Sequence, residues 1–335
     1  MLRRNIYLVV VLLLGYQVVV DAQDIHFSQF FNSPLNLNPA LTGQFNGNTR
    51  VHANYRRQWK SVPADYMSAD VGIDFNFAKA DKKNALGIGA LVNYDQAGDL
   101  NLNMTGLNGY LSYAIGISDN KSITPGLNVS YAQRKYDLGA VRSGNQWNGT
   151  AFDPSIDPEF VGADQTSYFD LGVGLNYRGQ KHIRKFLDLG VGLYHLIQPT
   201  DSFDDVITNT AIQRPMRLTL YGMLNQKLSE KLDLLVNVMH QRQSPYRETV
   251  LNAQGKIYLG KNLDKALFLG LGYRLEDAWY PMIAVEIGRL YGAFSYDFNI
   301  SDFDIATDGR GGPELTLRYI FSKIPDGLYK PCLIY

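Results

Sequence analysis

Leu107-Asn108-Gly109-Tyr110-Leu111-Ser112-Tyr113-Ala114-Ile115-Gly116-Ile117 decides how the chain folds. Leu107, Gly109, Leu111, Tyr113, Ile115 and Ile117 fall on one face, and Asn108, Tyr110, Ser112 and Gly116 on the other. A period of two is a strand with one apolar face. The same alternation returns in Phe169–Tyr177, Leu218–Leu224 and Leu315–Phe321. About fourteen such segments can be drawn, many of about ten residues. They start near Thr49, Tyr66, Ala85, Leu102, Ser122, Thr166, Phe186, Met216, Lys231, Thr249, Ala266, Pro281, Leu290 and Glu314. No helical period intervenes, which excludes a parallel α/β fold. The 31 glycines among 335 residues point the same way, because each costs a helix about 1 kcal/mol.

Alternating strands build either a soluble sandwich or propeller, or a membrane barrel that turns its apolar face to lipid. The polar faces carry Asp, Asn, Glu, Arg and much Gly, which suits a lumen. Aromatic residues sit at strand ends: Tyr55, Trp59, Tyr66, Phe77, Tyr94, Tyr131, Tyr177, Tyr273, Trp279 and Phe321. That placement suits interfacial girdles. The connections also sort by parity. Lys79–Asn84, Ser118–Lys121, Gly179–Lys185, Ser229–Glu230, Gly260–Lys265 and Gly288-Arg289 are short and even-numbered. Lys135–Gln165, Gln198–Pro215 and Ser301–Gly312 are long and odd-numbered. The expectation is an all-β, up-and-down transmembrane β-barrel of about 14 antiparallel strands over residues 49–321. It has short periplasmic turns, longer extracellular loops and both termini in the periplasm. Unpaired strand edges cost several kcal/mol per group in lipid, so the sheet must close.

The ends read separately. Met1–Ala22 has Arg3 and Arg4 before an apolar run, Ile6–Leu14, and ends on a small residue, the pattern of a secretory signal peptide. The run is shorter than the ~20 residues of a membrane span. The lone Cys332 excludes a disulfide framework and a Cys-based zinc site. Equal numbers of basic and acidic residues, 32 each, leave no electrostatic footprint for nucleic acid. Residues 23–48 form an arm or plug ahead of the barrel, and 322–335 are an extension beyond it.

Two flanking motifs are more specific than the alternation. Gln23-Asp24-Ile25-His26-Phe27-Ser28-Gln29-Phe30-Phe31, Pro34-Leu35-Asn36-Leu37-Asn38-Pro39-Ala40-Leu41-Thr42-Gly43 and Tyr55-Arg56-Arg57-Gln58-Trp59 open the chain. Tyr296–Ser301 and Gly311-Gly312-Pro313-Glu314-Leu315-Thr316-Leu317-Arg318-Tyr319-Ile320-Phe321 close it. Together they resemble the opening and closing signatures of the PorP/SprF family. The resemblance implies an outer-membrane component of the Bacteroidota type IX secretion system. It further implies a role in export or surface attachment of an adhesin, gliding adhesins included. The partners it implies are periplasmic ring proteins or an OmpA-like peptidoglycan-binding protein. A passive channel for small solutes is the alternative.

The arm is expected to plug the periplasmic mouth, with Phe27, Phe30 and Phe31 packed on lumenal glycines. Ser28, Gln29 and the turn Asn38-Pro39-Ala40 share in that contact, and Pro34 and Pro39 keep the segment from running on as helix. At the closure seam, Arg57 either faces the lumen and meets Glu314, a buried carboxylate needing a cation, or sits at the interface beside an aromatic neighbour. Trp59, Gly312 and Phe321 flank it. The loop Lys135–Gln165, with Trp147, Phe152 and Phe160, is expected to contact the passenger. Asp201, Asp204 and Asp205 make an acidic loop, read as solvated rather than as a calcium site. The five histidines are scattered, without metal-ligand spacing. There is no Gly-x-Ser-x-Gly elbow, Walker loop or His-Glu-x-x-His. Gly87-x-Gly89, Gly172-x-Gly174, Gly190-x-Gly192 and Gly270-x-Gly272 read as a stripe of small lumenal residues instead of nucleotide loops. The expectation is no catalysis, no cofactor and no metal.

Overall fold

The computed structural model describes residues 24–59, 66–77, 84–98, 101–137, 142–153, 155–156, 164–201, 213–260, 263–301 and 307–322. The signal-peptide reading, Phe160, Asp204, Asp205 and Cys332 lie outside them. No described helix is long and apolar enough to cross a membrane; the strands do that work.

Fourteen antiparallel strands form one closed barrel in sequence order. They are β1 Thr49–Gln58, β2 Tyr66–Asn76, β3 Ala85–Ala97, β4 Leu102–Ser118, β5 Lys121–Lys135, β6 Gln165–His182 and β7 Lys185–Tyr194. β8 Arg217–Ser229, β9 Leu232–Gln243, β10 Tyr246–Leu259, β11 Lys265–Arg274, β12 Ala278–Ile287, β13 Leu290–Asn299 and β14 Arg310–Phe321 complete it. The seam pairs β1 with β14 from Thr49↔Phe321 to Arg56↔Glu314. The largest offsets from the expected starts fall at β10, β12 and β14. At β12 and β14 the cause is proline, which donates no hydrogen bond and reads as a strand boundary. Here β12 continues through Pro281 and β14 through Pro313. The β12–β13 ladder skips at that point, from Trp279↔Phe298 to Met282↔Ser295.

The barrel has two unlike ends. The even connections define a turn end, where β4–β5, β6–β7, β8–β9 and β12–β13 join through residues 119–120, 183–184, 230–231 and 288–289. Phe321 lies there, beside Thr49. The opposite, loop end carries the connections 136–164, 195–216 and 300–309. It is not uniformly long-looped, because residues 244–245 alone join β9 to β10.

The side chains follow the pleat. Val71, Leu107, Leu271 and Leu317 are among the outward residues, each more than half exposed; in a bilayer that face is covered by lipid. Outward aromatics pair near both ends: Trp59–Tyr66 and Trp279–Phe298 at the loop end, Tyr319–Phe321 at the turn end. The inward positions are polar and buried, including Asp74, Asn128, Asn176 and Glu314. A buried polar wall needs hydrogen-bond partners. The chain supplies them from its own first residues.

Candidate functional site

The lumen is filled by the arm. Residues 24–45 are buried almost throughout. Pro34 and Pro39 each start a single turn, Pro34–Leu37 and Pro39–Leu41, because proline fits the first helical position and cannot extend a helix behind it. The Asn38 carboxamide oxygen caps the second turn at the Ala40 amide, 2.8 Å away. Its Nδ2 donates to the carbonyls of Leu175 (3.2 Å) and Val191 (3.0 Å) and to the Tyr221 hydroxyl (3.3 Å). One amide thus ties the arm to β6, β7 and β8.

The two ends of the arm mark its path. Asp24 sits at the loop end, against His195 and Arg214 of the β7–β8 connection and Arg217 of β8. Asn48 sits at the turn end, donating to the Phe321 carbonyl at 2.8 Å. The arm therefore runs the length of the lumen. Phe321 and the first described residue lie at opposite ends, not at one. The described arm fills the lumen from end to end and is not confined to one mouth. Some 25 residues at up to ~3.3 Å each can cross a ~30 Å core even when folded into turns.

Ser28 and Gln29 are gripped by the closure seam. The Ser28 amide donates to Glu314 Oε2 and the Gln29 amide to Glu314 Oε1, each at 2.8 Å. The Ser28 hydroxyl donates to Asp297, and Tyr280 donates to the Ser28 carbonyl at 2.7 Å. Arg56 and Arg274 each bring a guanidinium nitrogen within 2.7 Å of Asp297. The cation facing Glu314 is Arg56, at 3.7 Å, and not Arg57. The register sets Arg56 directly opposite Glu314, and a one-residue step turns Arg57 to the other face. The alternation Arg50, His52, Asn54, Arg56 and Gln58 against Val51, Ala53, Tyr55, Arg57 and Trp59 already carries that parity. Gly312 packs where a Cβ would strike the Arg57 carbonyl. Trp59 stacks edge-on with Tyr66 on the outside, at 5.0 Å.

The phenylalanines do not sit on glycine as expected. Phe30 joins an apolar lumenal cluster with Leu37, Leu41, Tyr221, Met239, Phe268, Tyr280 and Tyr291, and Phe31 packs against it. Phe27 is buried. Three lumenal glycines receive the turns of the arm instead. A Cβ at Gly126 would strike Pro39 and Ala40, one at Gly174 would strike Asn38, and one at Gly87 would strike Thr42. Gly43 answers Gly87 across the gap and holds φ of +70°, a conformation suited to glycine.

A second ion cluster, not expected from the sequence, clamps Asp24 at the loop rim. Arg214 reaches Asp24 at 2.6 Å and Arg217 at 3.2 Å. His195 lies between Asp24 (2.7 Å) and Asp170 (2.5 Å). Asp201 accepts from Arg214 at 2.6 Å and Arg134 at 2.8 Å. Burial opposes charge on Asp24, but His195, Arg214 and Arg217 outweigh it and hold its carboxyl well below the usual range. Burial also opposes charge on His195, and Asp24 and Asp170 reverse this, raising it above 6.5. None of these partners is adjacent in sequence, and no local period brings them together.

Trp147 is well exposed on loop 136–164 and bridges to Phe152, which lies under the Arg142 guanidinium at 4.4 Å. The two aromatics hold a folded corner above the rim. Among the described residues, no group of three or more His, Cys, Asp or Glu is placed to hold a metal ion.

Comparison with known proteins places this geometry. The profile of the family described as "Type IX secretion system membrane protein PorP/SprF" matches residues 19–319. No curated protein matches the chain. Among solved structures, the TodX deltaS2S3 mutant monoaromatic hydrocarbon channel superposes with a TM-score of 0.52 at 9% identity, covering 86% of this chain and 93% of that one. A Pseudomonas aeruginosa FadL homologue gives 0.49 at 12%, covering 85% and 93%. At such identities the likeness is one of barrel fold.

Proposed function

The chain belongs to the PorP/SprF family of type IX secretion system membrane proteins, and from that premise we propose that it is a non-enzymatic outer-membrane platform. It supports export or surface attachment of an adhesin-like protein and is not a solute channel. The observation that carries this reading is the arm: residues 24–45 occupy the lumen from rim to rim and give hydrogen bonds to its buried Asp74, Asp297 and Glu314. A wall committed to its own plug has little room to pass solute.

The loop end faces outward in this reading, and the corner built by Trp147 and Phe152 contacts the passenger. An exposed tryptophan beside a half-buried phenylalanine and an arginine is a composition favoured at protein interfaces. The turn end, with Phe321, faces the periplasm and docks ring proteins or an OmpA-like peptidoglycan-binding protein. Two measurements test it together. The purified barrel should be silent in planar bilayers, and deleting its gene should abolish surface display of one cognate passenger. A steady conductance from the intact protein, with display unimpaired by the deletion, sinks the platform and favours a channel.

A further inference from the structure

We infer that the loop-rim clamp around Asp24 is a carboxylate receptor, which an acidic peptide segment of a partner occupies by displacing the arm. This rests on the plugged-platform reading and adds the chemistry of its ligand.

The charges decide the class of ligand. Arg214 and Arg217 converge on Asp24, and Arg134 and Arg214 on Asp201, while His195 lies between Asp24 and Asp170. If Asp24 leaves, Arg214 and Arg217 lose the carboxylate they share, and the vacancy calls for an anion. The cations are held independently of Asp24. Arg217 lies over the Tyr194 ring at 4.3 Å and Arg214 over Tyr168 at 5.7 Å. Arg214 also keeps its bond to Asp201. A receptor whose guanidiniums stay in place without their ligand loses little entropy on rebinding.

A second observation points to a ligand at the same place. A cavity of about 60 Å³ adjoins the clamp, lined among others by Asn36, Asn93, Asn128, Asp170 and Arg217. Two buried polar atoms of its lining lack a hydrogen-bond partner: Arg217 Nε and Asp170 Oδ1. A donor and an acceptor left open beside carboxamide side chains match a peptide backbone. The volume holds about four waters, at 10–15 Å³ each, but no second strand of chain. An incoming peptide must therefore take the arm's position.

The test uses the full-length processed protein in detergent micelles, with hexaglutamate as the probe and hexaglutamine and hexalysine as controls. Binding is read by calorimetry, and arm release by amide hydrogen exchange across residues 24–32. Asp24→Asn removes the internal competitor while leaving every strand intact. Hexaglutamate should bind Asp24→Asn at least tenfold more tightly than the unsubstituted protein. On the unsubstituted protein it should accelerate arm exchange, and neither control should do so. Equal affinity for the two proteins, or binding without faster arm exchange, overturns the inference. So does absence of binding to a folded Asp24→Asn barrel, verified by heat-modifiable mobility. Those failures, with passenger display still dependent on the gene, would leave the platform standing and remove only its receptor.

Discussion

Glu314→Gln is the sharpest perturbation of the plug. The carboxylate gives one oxygen to the Ser28 amide and the other to the Gln29 amide, both at 2.8 Å. A glutamine replaces one of those oxygens with an NH₂ group that confronts a backbone N–H. Each hydrogen bond to a charged group contributes about 1.5–3 kcal/mol, and a buried donor left alone costs about 1–3 kcal/mol. One bond is lost outright, one amide is orphaned, and the survivor is weakened by loss of charge. The sum is roughly 3 kcal/mol or more, equivalent to about a 150-fold shift in the opening of the arm. The strand ladder is unaffected, because position 314 pairs through its backbone. The assay is amide exchange of Ser28 and Gln29 in the intact barrel, where protection reports the local opening free energy. Exchange within threefold of the unsubstituted rate, in protein with normal heat-modifiable mobility, refutes the claim that Glu314 anchors the arm.

Arg56→Met and Arg57→Met should differ sharply. The first leaves Glu314 without its cation and Asp297 with Arg274 alone, and costs about 3–5 kcal/mol, whereas the second costs under about 1 kcal/mol, read from denaturant midpoints of the refolded barrel. Gly126→Val puts a side chain where Pro39 and Ala40 lie; it should expel the arm and produce bilayer conductance that the parent lacks. The Asp24–His195 clamp should depend on pH from both sides. Asp24, depressed below 3.8, contributes above that value and is lost as pH falls beneath it. His195, raised above 6.5, contributes fully below 6.5 and is lost as pH climbs through its raised value. Protection of residues 24–27, corrected for intrinsic exchange, should therefore peak between about pH 4 and 6.5, and His195→Gln should erase the alkaline limb.

The sequence exposes the barrel because each strand encodes its own two faces. Leu107–Ile117 needs no distant information to show which side meets lipid. The arm is different. Its partners are the inward residues of strands tens to hundreds of positions away, and no local period marks them. Gln29 binds Glu314, Asn38 binds the Leu175 and Val191 carbonyls, and Asp24 binds Arg214. What was legible was the demand: Gly stripes that leave space, and Asp, Asn and Arg on walls that exclude water. Parity counted from Arg50 places Arg57 on the outer face, whereas Asp24–Gly43 carries no signal for which mouth it enters.

That direction bears on how the barrel assembles. The arm touches the first strand through Arg50 and Asn54, the middle strands through Asn38, and the last strand through Ser28 and Gln29. Strand pairing in a meander is local, but the seam between β1 and β14 closes a loop of nearly the whole chain, the entropically expensive step. Glu314 is buried at that seam, and a carboxylate there without partners would oppose closure. The Ser28 and Gln29 amides and Arg56 supply those partners from the chain's own beginning. The plug and the seam are thus one structural unit. A bulky arm-expelling variant such as Gly126→Val should slow refolding as well as open the lumen, because it takes from the last strand the groups that neutralise it. If such a variant refolds at the parental rate while conducting, the arm is cargo in a barrel that closes by backbone pairing alone.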